Sequence, residues 1–148
     1  RLLPELRFVV MGDGPEMAAL AGLENVTLTG FLTGEELKTN IACAAALAVP
    51  SVCFENCPLS ILEARTLGTP SITMPYGGMA ELVEDGVTGT LARSAAPADF
   101  AAAVKETVAD AAHLQEMREN CRKAHTATVQ DYGDELLEIY ATLKEKQT

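Results

Sequence analysis

A chain of 148 residues with 48% apolar composition is long enough to bury a core, and with no long linker to split it, residues 1–148 read as one domain. A net charge of −10 argues against nucleic acid and acidic membrane surfaces as partners. No apolar run approaches the roughly 20 residues of a membrane-spanning helix, and the opening Arg1-Leu-Leu-Pro4 carries no signal-peptide pattern. Arg7 to Met11 reads as a strand, followed by a turn at Gly12-Asp-Gly-Pro15 and a short helix from Glu16 to Leu20. Two glycines after a strand invite a dinucleotide-binding reading, but Met17 stands where a third glycine belongs and Pro15 stiffens the turn, so a tight turn is the better account.

Val26 to Thr29 forms the next strand signal. Gly30-Phe31-Leu32 then leads to Thr33, read as a helix cap with Glu36 placed for a capping box, and to a helix from Gly34 to Ala42. Ala46 to Val49 is short and continuously apolar, as expected of a parallel strand buried on both faces. A helix from Leu59 to Leu67, with Pro58 at its first position, runs to the stop Gly68-Thr-Pro70 and a strand from Ser71 to Met74. Gly77-Gly78 opens a short helix through Val83, and a strand lies near Thr90 and Leu91. Three helices close the chain: Pro97 to Val108, Ala111 to Ala127 and Asp134 to Lys146, the last with Leu136, Ile139, Tyr140 and Leu143 at helical spacing. Strands alternating with helices over short loops predict an α/β fold with a Rossmann-like, doubly wound parallel sheet.

The stretch from Pro50 to Ala64 carries the chemistry. Glu55 lies in a loop ahead of a helix N-terminus. Glu63, four residues beyond Leu59 and three before Thr66, is placed on that helix's apolar stripe, an expensive position for a charge without a polar partner. Arg65 is swung roughly 200° around the helix from Glu63 and is no partner for it. The N–H groups near Pro58, Leu59 and Ser60 form an anion site, so the segment suggests a ligand with hydroxyls and phosphate. The alternative is a solvated Glu55 and a Glu63 that satisfies a neighbouring loop. Gly77-Gly78 with Glu81 reads equally well as a turn feeding a helix dipole and as a donor of N–H groups to a ligand.

Between Phe8 and Ala92 the only cations are Lys38 and Arg65, so a phosphorylated ligand is held by backbone N–H groups alone or by cations outside this sequence. Cys43, Cys53, Cys57 and Cys121 form no CxxC pair and are expected as buried, reduced thiols. Neither His113 nor His125 has paired-ligand spacing to them, and no metal site is expected.

In their order and spacing, several motifs resemble the carboxyl-terminal domain of retaining GT-B glycosyltransferases, most nearly the group 1, or family 4, branch. They are Gly12-Asp-Gly-Pro15, Val26-Thr-Leu-Thr-Gly30-Phe31, Pro50-Ser51, Glu55 with seven residues before Glu63-Ala64, Gly68-Thr-Pro70, Gly77-Gly78 with Glu81 to Gly86, and Gly89. The resemblance implies the C-terminal half of a GT-B fold without its first strand, in a chain that is a fragment of a longer two-domain protein. It implies a nucleotide-sugar donor, such as a UDP- or GDP-sugar, as substrate rather than cofactor, and transfer of a hexose with retained configuration to an acceptor glycan or lipid bound by a missing amino-terminal domain. Glu55 would hydrogen-bond the transferred sugar as the catalytic-site carboxylate, Glu63 the ribose hydroxyls. Backbone groups of Asn56, Cys57, Pro58, Leu59 and Ser60 would face sugar and diphosphate, with Gly77 and Gly78 beside them, and Leu32 would lie near the base. No metal is implied.

Asn56-Cys57-Pro58 departs from the commoner Gly-Phe-Gly or Gly-Phe-Pro, which leaves the sugar open, and the family's diphosphate-binding Arg and Lys precede this chain. The fragment is therefore expected to be inactive alone, and the whole protein to be cytoplasmic, peripheral at a membrane through its missing domain. The final helix is expected to expose apolar surface. A nucleotide-sugar epimerase of similar architecture and a non-catalytic interaction domain are the alternatives; no histidine near the pocket weakens the first.

Overall fold

A computed structural model describes residues 2–124 and 126–145. His125 and the end of the last helix at Lys146 lie outside the described residues. Five strands, β1 (Phe8–Met11), β2 (Val26–Gly30), β3 (Leu47–Val49), β4 (Ser71–Thr73) and β5 (Gly89–Leu91), alternate with α1 (Met17–Leu20), α2 (Gly34–Cys43), α3 (Leu59–Thr66) and α4 (Gly78–Leu82). Three helices follow: α5 (Pro97–Ala109), α6 (Ala111–Lys123) and α7 (Val129–Glu145). All three strand pairs are parallel, so the expected parallel α/β architecture is present, but as two sheets rather than one continuous sheet, a two-stranded portion β1-β2 and a three-stranded portion β3-β4-β5.

β4 is the centre of the larger portion and is buried along its length, with α3 packed on β3 and β4 and α5 on β4 and β5. Ile61, Ile72, Met74, Met79, Val83, Ala103 and Val104 share one apolar core. The prediction of a strand buried on both faces fails for β3, where Ala48 is exposed. β3 is an edge strand, and burial on both faces falls to the central β4 instead. Thr69, wholly buried before β4, donates its hydroxyl to the Ile41 carbonyl at 2.9 Å and so ties the end of α2 to the sheet.

Helix ends show where local rules yielded to tertiary contacts. Thr33 occupies the N-cap of α2 but makes no side-chain cap hydrogen bond, so the expected capping box with Glu36 is not formed. The other end of α2 is secured from a distance: Arg118 on α6 donates to the carbonyls of Ala42 and Ala44 at 2.8 and 2.7 Å, filling acceptors that a helix terminus leaves open. Pro58 is the N-cap of α3 rather than its first helical residue. α6 stops at Lys123, short of the expected Ala127, and α7 starts earlier than expected, at Val129, where Asp131 accepts from the Thr128 N–H at 2.7 Å. α7 leaves Val129, Tyr132, Leu137, Ile139, Tyr140 and Leu143 exposed, in line with the apolar surface that the resemblance implies for the final helix, while Leu136 is half-buried.

Of the four cysteines only Cys121 is buried; Cys43, Cys53 and Cys57 are exposed, and all are free thiols. The expectation of buried thiols fails at those three because the segments around Cys43, Cys53 and Cys57 lie on the surface as a helix end and a loop. Burial pushes the Cys121 thiol above its ordinary value, an effect only partly opposed by the Arg65, Arg118 and Arg122 guanidinium groups. A thiol with a raised folded value favours the fold below its unfolded value and loses that contribution as pH rises through the folded one. Thermal stability is therefore expected to fall as pH climbs past about 8.5. The fall should be shallower in Cys121→Ala, as differential scanning fluorimetry from pH 7 to 10 would show.

Candidate functional site

The loops after β3 and β4 lie at the same end of their parallel pair, where ligands bind in open α/β sheets. The β3 loop carries Glu55, and the β4 loop turns at Gly77-Gly78. The two are packed backbone to backbone: the Gly78 N–H donates to the Glu55 carbonyl at 2.7 Å. A Cβ on Gly78 would stand 1.7 Å from the Asn56 carbonyl oxygen, and Gly77 adopts φ +62°, so both positions require glycine. This decides much of the ambiguity of that turn, because the Gly78 N–H is committed to shaping the Glu55 loop.

The Glu55 carboxylate is exposed and accepts from the Ser51 hydroxyl at 3.1 Å. Ser51 in turn receives the Tyr76 hydroxyl on its carbonyl at 3.4 Å, and the Tyr76 and Phe54 rings pack with centroids 5.2 Å apart. Asn56 and Cys57 are exposed beside Glu55, while Pro58 is buried. Leu59 and Ser60 follow as the first residues of α3, and the first intrahelical donor is the Ile61 N–H, bonded to the Pro58 carbonyl at 3.1 Å. The N–H groups of Leu59 and Ser60 thus head the helix without intrahelical acceptors, in reach of an anion.

Glu63 departs from its predicted setting. The buried side of α3 is Ile61 and Ala64, whereas Leu59, Glu63 and Thr66 are exposed. An eight-residue helix carries two apolar stripes, and the expected one containing Leu59 and Leu62 is not the one that meets the sheet. Leu62, with Glu63, Thr66 and Leu67, forms one wall of a cleft of about 300 Å³ against α2, whose other wall is Gly34, Leu37, Lys38 and Ile41. The Glu63 carbonyl accepts from the Leu67 N–H at 3.1 Å, while its carboxylate makes no hydrogen bond or ion pair among the described residues. Glu63 sits about 6 Å along the axis from Leu59, so one ligand can touch it and the helix N-terminus together. Leu32, half-buried, precedes α2 and belongs to the loop that delivers the opposite wall.

Lys38 stands on that wall and pairs with Glu35 at 2.8 Å; their hydrogen bond lowers the carboxyl and raises the ammonium from their ordinary values. Arg65 is half-buried and reaches the Leu82 carbonyl at 3.5 Å, as expected of a residue that does not serve Glu63. A second cavity of about 290 Å³, between Phe8, Val52, Met74 and Phe100, is lined by apolar residues alone and offers no reactive group. Among the described residues no group of three or more His, Cys, Asp or Glu is placed to hold a metal ion, and no helix is long and apolar enough to cross a membrane. The Gly12-Asp13-Gly14 turn bends back on itself, with the Gly14 N–H on the Asp13 carboxylate at 2.8 Å, ahead of a helix of only four residues. It is a turn rather than a phosphate cradle.

Residues 1–110 match the family model described as "Glycosyl transferases group 1". The chain is 30% identical over 145 residues to alpha-D-kanosaminyltransferase of Streptomyces kanamyceticus, covering 92% of this chain and 37% of that protein. It is 36% identical over 88 residues to GDP-mannose-dependent alpha-mannosyltransferase of Corynebacterium glutamicum, covering 59% of this chain and 21% of that one. Among solved structures, Anabaena HepE in complex with UDP-glucose superposes with a TM-score of 0.72 at 22% identity, covering 82% of this chain and 37% of that chain. Sucrose-phosphate synthase from Thermosynechococcus elongatus gives 0.73 at 24% identity, covering 82% and 35%. At these identities the structural likeness is one of fold, and this chain spans well under half the length of each relative.

Proposed function

The chain belongs to the group 1 glycosyl transferases, and from that premise we propose that it is the nucleotide-sugar-binding half of a retaining enzyme that moves a hexose onto a glycan or lipid acceptor. The observation that carries this reading is the placement of two acids around one helix N-terminus, Glu55 in the loop before α3 and Glu63 one turn into it, beside a cleft with apolar walls. Carboxylates accept from vicinal hydroxyls, which suits Glu55 to the transferred sugar and Glu63 to a ribose. The N–H groups of Leu59 and Ser60 suit the diphosphate, whose charge grows as the glycosidic bond breaks, and donors already fixed in place stabilise it without reorganising. Leu32 and the apolar wall of Leu37 and Ile41 suit a base.

HepE is seen in complex with UDP-glucose and the mannosyltransferase is named for its dependence on GDP-mannose, and a nucleoside diphosphate sugar is the chemistry they share. We extend the proposal to transfer without a metal, the N–H donors supplying the leaving-group stabilisation, with the acceptor bound by a preceding domain of a two-domain enzyme. Full-length protein given α-linked UDP-glucose or GDP-mannose and a panel of glycan and lipid acceptors is expected to release the nucleoside diphosphate, UDP or GDP, and yield an α-linked product, read from the one-bond coupling of the anomeric carbon to its proton by NMR. A β-linked product overturns retention, and no transfer from any nucleotide sugar overturns the function.

A further inference from the structure

We infer that Ser51 is a positioning residue for Glu55, holding the carboxylate at the angle from which it meets the sugar. This rests on the donor-site reading above. Glu55 is exposed at the tip of its loop, where a long acidic side chain samples many rotamers and would have to be ordered each time a sugar arrives. The Ser51 hydroxyl, 3.1 Å from Glu55 Oε1, removes part of that freedom in advance. One donated hydrogen bond takes one of the roughly four lone-pair directions of a carboxylate, so Oε2 and the rest of Oε1 stay available to sugar hydroxyls.

Ser51 is itself held, half-buried at the exit of β3, with its carbonyl accepting from Tyr76 at 3.4 Å and Tyr76 packed on Phe54. Those contacts fix the main chain of the loop, as does the bond from the Gly78 N–H to the Glu55 carbonyl at 2.7 Å. None of them uses the Ser51 hydroxyl. The loop can therefore keep its course when that hydroxyl is removed, while the Glu55 side chain loses its tether. Support for the loop and aim of the carboxylate are borne by different atoms, which makes them separable by experiment.

The test is calorimetric titration of the full natural chain with UDP-glucose against UDP and GDP-mannose against GDP. For the pair that binds, Ser51→Ala is expected to weaken the sugar nucleotide about tenfold, the scale of one hydrogen bond to a charged group, and to leave the bare diphosphate unchanged. Ser51→Thr, which keeps the hydroxyl, restores the affinity, and adding Ser51→Ala to Glu55→Ala costs nothing further. If Ser51→Ala binds the sugar nucleotide normally while Glu55→Ala does not, the inference is overturned and the donor site stands. Equal losses for sugar nucleotide and diphosphate assign Ser51 to loop support and overturn it too. If Glu55→Ala has no effect, or neither nucleotide sugar binds, the donor-site reading fails and takes the inference with it.

Discussion

Glu63→Ala is expected to weaken binding of the cognate nucleoside diphosphate by about 100-fold, the loss of two hydrogen bonds from ribose hydroxyls to an ionised acceptor. The side chain is exposed, has no hydrogen bond or ion pair among the described residues, and packs no core, so the fold should not register its removal. That separation makes the variant informative: unchanged thermal unfolding with lost affinity locates the effect in the cleft. Glu63→Gln, which accepts through one oxygen only, is expected to fall between. Wild-type affinity in Glu63→Ala for both UDP and GDP would remove the ribose from this helix.

Gly78→Ala has the opposite signature, a large structural cost that reaches the site through the backbone. Its Cβ would lie 1.7 Å from the Asn56 oxygen and 2.5 Å from the Asn56 carbonyl carbon, main-chain atoms with no rotamer to swing away. The β3 and β4 loops must part, and the bond from the Gly78 N–H to the Glu55 carbonyl goes with them. A loss of about 3 kcal/mol is expected, seen as a drop on the order of 10 °C in Tm together with a fall in sugar-nucleotide affinity. Gly133→Ala in α7 is the control, since nothing lies within 4 Å of its added Cβ and alanine favours the helix. Equal behaviour of the two variants would show that the packing of the two loops does not depend on the missing Cβ.

The order of elements was legible because β1 and β3 are short apolar runs and several breaks are marked by glycine or proline, as at Gly12 to Pro15, Gly68 to Pro70 and Gly77-Gly78. Parallel pairing followed from the alternation. What local signals could not resolve was which of two stripes on α3 meets the sheet. Leu59 and Leu62 look as buried as Ile61 and Ala64 in the sequence, yet only the second pair packs inward. Glu63 was singled out for sitting among apolar residues; it does line a partly apolar cleft, but on the exposed side. Leu37 and Ile41, four apart on α2, were the available sign of the opposite wall.

Contacts between segments distant in sequence were also out of reach. Nothing local tells that Arg118 caps α2 from α6, a bond across 74 residues. The Tyr76 link to Ser51 joins two loops 25 residues apart. Ser51 was recognised only as half of a Pro-Ser pair, and its hydroxyl acquires meaning once the Glu55 carboxylate is seen beside it. Exposure of Cys53 and Cys57 belongs with these cases, since the loop they share leaves the sheet to build the site rather than the core.

The most direct test is a crystal structure of the protein with its nucleotide sugar bound. The prediction is ribose hydroxyls on Glu63, diphosphate oxygens at the N–H groups of Leu59 and Ser60, and the hexose on Glu55. Density for the nucleotide away from the head of α3, with both acids facing solvent, would contradict the account.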